Sequence, residues 1–242
     1  CMRIGLVLSL LLFSSILIAR QQPSGTWVMA YSKARQPVLS ATMEQGELVF
    51  DKGTPFDSSE VYTPGLMVLQ FGDARTAKSY SWDGNENWRW RIIQDSLLMF
   101  GQRDTLYGRL STDEIVLSST IDAVPTEYTF LKVESGLSLT TLPAKAQLEL
   151  SIDEHVFDGQ RWLFQKDTVY AVNTATPGQE LFLTTLEPLQ VVEYAIDKAH
   201  GKVELGIIYL FQEKRKRYVG LFYPVVDDFT RPKARRLNFR LK

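Results

Sequence analysis

Cysteine and histidine are nearly absent from this 242-residue chain: one Cys, at position 1, and two His, at positions 155 and 200. A single Cys rules out an intramolecular disulfide framework, and if the N-terminal segment described below is removed, no thiol is left to act as a nucleophile or to ligate a metal. The His residues build no metal site either. His155 follows Asp153 and Glu154, with Asp158 nearby. On a strand, however, Asp153 and His155 share one face while Glu154 points away, and a structural site wants about four ligands. Gly-x-Ser-x-Gly, phosphate-loop and His-Glu-x-x-His patterns are missing. The acids between Asp51 and Glu60 do not sit at the alternate positions of a calcium loop. The expectation is therefore a protein without catalytic residues, metal or cofactor, and not an enzyme.

Long apolar runs are equally scarce. The one example, Ile4–Ala19, follows Met2-Arg3 and precedes Arg20 and Pro23. It is shorter than the roughly 20 residues of a membrane span. A positive start, an apolar stretch and a small residue at its end describe a secretory signal peptide over residues 1–19, with export to the periplasm or cell envelope, or an uncleaved N-terminal anchor. Removing it would leave no Cys, which suits an oxidising compartment.

The net charge of −1 conceals an asymmetry. From Lys214 to Lys242, ten basic residues against Asp227 and Asp228 give this stretch +8, leaving −9 for the rest. Such a stretch can attract an anionic membrane surface or an acidic partner. It can equally be a solvated edge strand whose positive charge blocks edge-to-edge pairing. Export argues against nucleic acid as the partner.

What is abundant is aromatic: 12% of residues, five of them Trp. Such side chains favour pleated, half-buried strands. Candidate strands recur about every ten residues with turn residues between them, the signature of an antiparallel barrel or sandwich. The first series runs from Trp27 to Val133, with its clearest turn at Asp83–Asn87. Around that turn Lys78, Tyr80 and Trp82 share one face, as do Trp88, Trp90 and Ile92. Residues 135–146 are poor in large apolar side chains and read as a linker between a first domain, 20–134, and a second, 147–242. The second series includes Arg161–Gln165, Thr168–Val172 and Val203–Phe211. The last of these is apolar on both faces, as expected of a strand lying in the contact between the halves. Residues 184–201 carry both helix-capping and strand signals; the β-branched and aromatic run Val191–Tyr194 favours strand.

Four motifs carry a resemblance. They are Gly25-Thr26-Trp27 at the first strand, Glu47-Leu48-Val49-Phe50-Asp51-Lys52-Gly53, Ser111-Thr112-Asp113-Glu114-Ile115-Val116-Leu117, and the closing Tyr128-Thr129-Phe130-Leu131-Lys132. Residues 25–133 thereby resemble a bacterial secreted lipocalin-like domain. The resemblance implies an eight-stranded antiparallel barrel for the first domain, and the second strand series predicts a second β-barrel or β-sandwich domain after it. Gly25 and Trp27 would close one end of the first barrel, with Lys132 packed over the indole. It also implies a small apolar or amphipathic ligand held inside the barrel by Met67, Leu69, Phe71, Tyr80, Trp82, Trp88, Trp90, Phe100, Tyr107 and Tyr128. The alternatives are a lipid or lipoprotein carrier with an open barrel, and a non-catalytic structural or interaction module with filled barrels.

Overall fold

The computed structural model describes residues 22–37, 41–44, 47–50, 58–119, 125–143, 145–150, 161–165, 168–172, 179–198, 202–225 and 235–242. All regular structure among them is β. The strands are β1 (Gly25–Pro37), β2 (Ala41–Glu44), β3 (Glu47–Phe50), β4 (Ser58–Pro64), β5 (Met67–Phe71), β6 (Thr76–Ser81), β7 (Gly84–Ile93), β8 (Ser96–Phe100), β9 (Thr105–Leu110), β10 (Glu114–Ser119) and β11 (Thr126–Lys132). They continue as β12 (Ser138–Leu139), β13 (Gln147–Leu150), β14 (Arg161–Gln165), β15 (Thr168–Val172), β16 (Gln179–Leu186), β17 (Leu189–Lys198), β18 (Lys202–Lys214), β19 (Arg217–Val225) and β20 (Arg235–Leu241). The proposed signal segment and the Asp153–Asp158 cluster lie outside the described residues.

Strands β1 and β5 to β11 form a closed antiparallel barrel, sealed where β1 pairs with β11 from Trp27↔Lys132 to Ala34↔Thr126. Strand β4 continues the line of β5: β1 pairs with β5 through Gly25–Val28 and with β4 through Tyr31–Pro37. Strands β2 and β3 make a separate hairpin. The second barrel is built in the order β15-β14-β13-β20-β19-β18-β17-β16, and β15 and β16 approach each other without a ladder between them. The segment expected to be a linker is partly built into this barrel. Strand β12 pairs with β18, and Leu142 and Ala146 are buried in the second core. Residues 184–198 are a β16–β17 hairpin, as the β-branched pattern favours.

Alternation explains how each barrel is filled. The interior of the first holds Trp27, Met29, Leu69, Phe71, Ala77, Trp88, Trp90, Leu97, Met99, Leu106, Ile115, Leu117 and Phe130. Phe71 stands edge-on to Trp27 at 6.4 Å and to Trp90 at 6.2 Å, an arrangement that ring quadrupoles favour. Gly108, on β9, marks a close approach: a Cβ there would stand 1.8 Å from the Val116 carbonyl oxygen. The second interior holds Leu148, Trp162, Phe164, Val192, Ile208, Leu210, Tyr218, Phe222, Leu237 and Phe239, with Trp162 and Phe239 at 4.9 Å.

A third core lies between the barrels. On the outer face of the first, Leu131, Val28, Val68 and Tyr80 form a cross-strand row over β11, β1, β5 and β6. On the outer face of the second, Val191, Tyr209 and Leu221 form another over β17, β18 and β19. These rows, with Ile207, Phe211, Val219 and Tyr223, pack into one buried cluster. Each large apolar side chain so buried is worth about 1.5–3 kcal/mol. Strand β18 serves both cores: Ile208 and Leu210 point into its own barrel, while Ile207, Tyr209 and Phe211 point into the contact. A strand apolar on both faces has no solvated side left.

Candidate functional site

Gly25, Trp27 and Lys132, expected to close one end of the first barrel, lie where β1 meets β11. Gly25 opens β1 with φ +78°, a conformation that side chains with a Cβ rarely adopt. Trp27 is buried, and its Nε1 donates to the Ser24 carbonyl at 3.1 Å. Lys132, opposite it on β11, holds its ammonium 5.5 Å from the indole centroid. The cation thus rests over the negative face of the ring while staying in water.

The ten residues expected to line a ligand cavity separate into two groups. Leu69, Phe71, Trp88 and Trp90 belong to the interior cluster, and Met67 and Tyr128, partly buried, pack against it. Four others face outward, which corrects the expectation. Tyr80 is buried between the barrels and donates to Gln70 Oε1 at 3.1 Å. Trp82 is 76% exposed at the tip of the β6–β7 hairpin. Phe100 lies on the outer face with the Arg91 guanidinium 4.9 Å from its ring centroid. Tyr107 is 51% exposed.

The reason is volume. Trp88 and Trp90 on β7 project inward, so the neighbouring strand β6 has room only for Ala77, Ser79 and Ser81 on the same face. Ser79 is used further, accepting from Trp88 Nε1 at 3.0 Å. Tyr80 and the rest of the other face are thereby turned outward. The turn is also tighter than expected: Ser81 pairs with Gly84, which sits at φ +126°, leaving Trp82 and Asp83 as the loop.

Openings among the described residues include three on the two barrels. A polar mouth of about 170 Å³ is lined by Met67, Ser79, Ser81, Glu86, Trp88 and Arg103 among others. It is smaller than the roughly 300 Å³ at which drug-sized sites begin. Glu86 there accepts from the Gln102 and Arg103 backbone amides, at 2.5 and 3.4 Å. A groove of about 530 Å³ runs over Gln70, Lys78 and Asn87 on the barrel's outside, towards Thr76 and Arg89. A third, of about 610 Å³, lies at one end of the second barrel and is bordered by the Lys214–Arg217 turn and Arg240. Among the described residues, no group of three His, Cys, Asp or Glu side chains comes together.

Tyrosines line the contact between the barrels, and sequence reasoning missed that role for them. Burial pushes the Tyr209 hydroxyl well above its ordinary pKa, with the Tyr223 phenol beside it adding to the rise. Burial raises Tyr223 and Tyr80 likewise. Arg236 crosses the edge of the same contact, pairing with Glu134 and, at 2.6 Å, with Glu213. The one signal available in the sequence was the doubly apolar face of β18. Compared with known family models, curated proteins and solved structures, the chain matches none.

Proposed function

We propose that this protein is an exported, non-catalytic interaction module that acts through its surface, not through a ligand held inside the first barrel. The observation that carries the reading is the filled interior: thirteen buried side chains, five of them the large aromatics Trp27, Phe71, Trp88, Trp90 and Phe130, occupy the space a ligand would need. Export is supported by the uncharged Ile4–Ala19 run after Met2-Arg3. The lipocalin resemblance is supported by the closed eight-stranded barrel and by Lys132 over Trp27, and in this reading the scaffold has become solid.

Native mass spectrometry of protein purified from the envelope tests this reading, run in concentrated ammonium acetate to strip electrostatically held ions. The bare polypeptide mass is the expected result. A stoichiometric apolar adduct that survives this treatment would return the reading to an interior carrier.

A further inference from the structure

The basic residues of β18, β19 and β20 do not protect a sheet edge. Strand β19 is paired with β18 on one side and β20 on the other, and β20 is paired with β13. Every one of these strands is internal to its sheet, so edge blocking does not explain their charge. Nor does charge pairing. Among the described residues, Lys214, Arg215, Lys216, Arg217 and Arg240 have no carboxylate within ion-pair distance; Glu213 is taken by Arg236, and Glu149 by Arg161 and Lys242. Arg217 and Arg240 stand directly opposite each other on the β19–β20 ladder, pointing away from the core. Cα atoms of such partners are about 4.5–5.5 Å apart, and like charges placed so destabilise a sheet.

The same five cations border the groove of about 610 Å³. Glu213, Tyr218, Asn238 and Phe239 complete its lining. The Tyr218 ring is buried in the second core. Its hydroxyl has no hydrogen-bond partner among the described residues and is not fully enclosed, and Tyr218 is one of the residues lining the groove. Burial raises the Tyr218 pKa, which keeps that hydroxyl a donor.

We propose that this groove binds a multivalent phosphate group, with Arg217 and Arg240 as a paired fork, Tyr218 as a neutral donor, and the Lys214–Lys216 turn as a flanking cationic lip. A multivalent phosphate relieves the Arg–Arg repulsion and accepts from two planar guanidinium forks at once. The inference rests on the surface-acting reading above. The phosphate can be free or carried on a lipid headgroup, and the experiment separates the two sources.

Pyrophosphate binding by calorimetry and co-sedimentation with vesicles containing an anionic phospholipid are measured on the full chain, against zwitterionic vesicles as control. Arg217→Gln/Arg240→Gln is expected to weaken the productive probe at least tenfold, and Tyr218→Phe severalfold. Arg215→Gln/Lys216→Gln, confined to an exposed turn, gives a second test should the first variant fold poorly, and is expected to weaken binding severalfold. Pyrophosphate binding that these variants lose identifies a free phosphate ligand. Vesicle binding alone, lost in the same variants, identifies a headgroup. Binding of neither probe, or binding unchanged in the variants, overturns the proposal while leaving the mass-spectrometric test of the filled barrel untouched.

Discussion

The hydroxyl of Tyr209, on the second barrel, donates to the carbonyl oxygen of Met29 on the first, at 2.9 Å and across 180 positions of sequence. The Gly65 carbonyl, at the break between β4 and β5, flanks the same hydroxyl. Both carbonyls lie where β1 changes partner from β5 to β4 and its ladder to β11 shifts register. Tyr209→Phe leaves these oxygens buried without their donor, at a cost of about 1–3 kcal/mol. Chemical denaturation is expected to show this loss. An unchanged midpoint would mean that the contact between the barrels does not depend on this bond.

Arg236→Ala removes the pairs to Glu134 and Glu213 at the edge of the contact. Arg236 is about one-third exposed and Glu134 more so. Solvent screening therefore limits each pair to about 0.2–1 kcal/mol. The deficit relative to the unaltered protein is expected to shrink in 1 M salt, where the screening length is about 3 Å. Melting temperatures at low and high salt check this.

Alkaline pH acts on the same contact. Burial raises the phenols of Tyr209, Tyr223 and Tyr80 above their ordinary value of 10.0. The unfolded chain releases these protons first, so their contribution is complete below about pH 10 and is lost as the pH rises from there through the folded-state values. Tyr223→Phe removes one such group. Its stability curve is expected to fall less steeply above about pH 10 than that of the unaltered protein, as followed by urea titrations at successive pH values.

Trp82 and Trp90 distinguish outer from inner face. Trp82→Ala, at an exposed turn, is expected to change stability by no more than about 0.5 kcal/mol. Trp90→Ala, in the filled interior, is expected to cost about 3–5 kcal/mol. Acrylamide quenching gives an independent measure: Trp27, Trp88, Trp90 and Trp162 are buried, so the accessible emission is expected to disappear with Trp82.

Much of the strand inventory was legible because period-two alternation is a local property. Thr105–Leu110, Arg161–Gln165 and Thr168–Val172 coincide with observed strands. The doubly apolar face of β18 also announced the contact between the halves. Which face of β6 turns inward was not legible from polarity. Tyr80 and Trp82 are the apolar members, yet Ala77, Ser79 and Ser81 face inward, because the indoles of Trp88 and Trp90 have taken the volume. Size complementarity between adjacent strands was the clue, and it requires knowing the register. The short strands Ala41–Glu44 and Ser58–Pro64 gave no comparable pattern: the first is a four-residue arm of a small hairpin, and the second is held by its pairing with β1.

The two-sided burial of β18 also determines how the molecule can be divided. A fragment ending at Lys132 would present Val28, Ala30, Val68 and Tyr80 to water as one contiguous patch, and the complementary fragment would present Ile207, Tyr209, Phe211 and Leu221. Patches of that kind drive self-association. For recombinant work, the smallest well-behaved unit therefore includes both barrels, and dissection by point substitution is the sound route to assigning roles to either one.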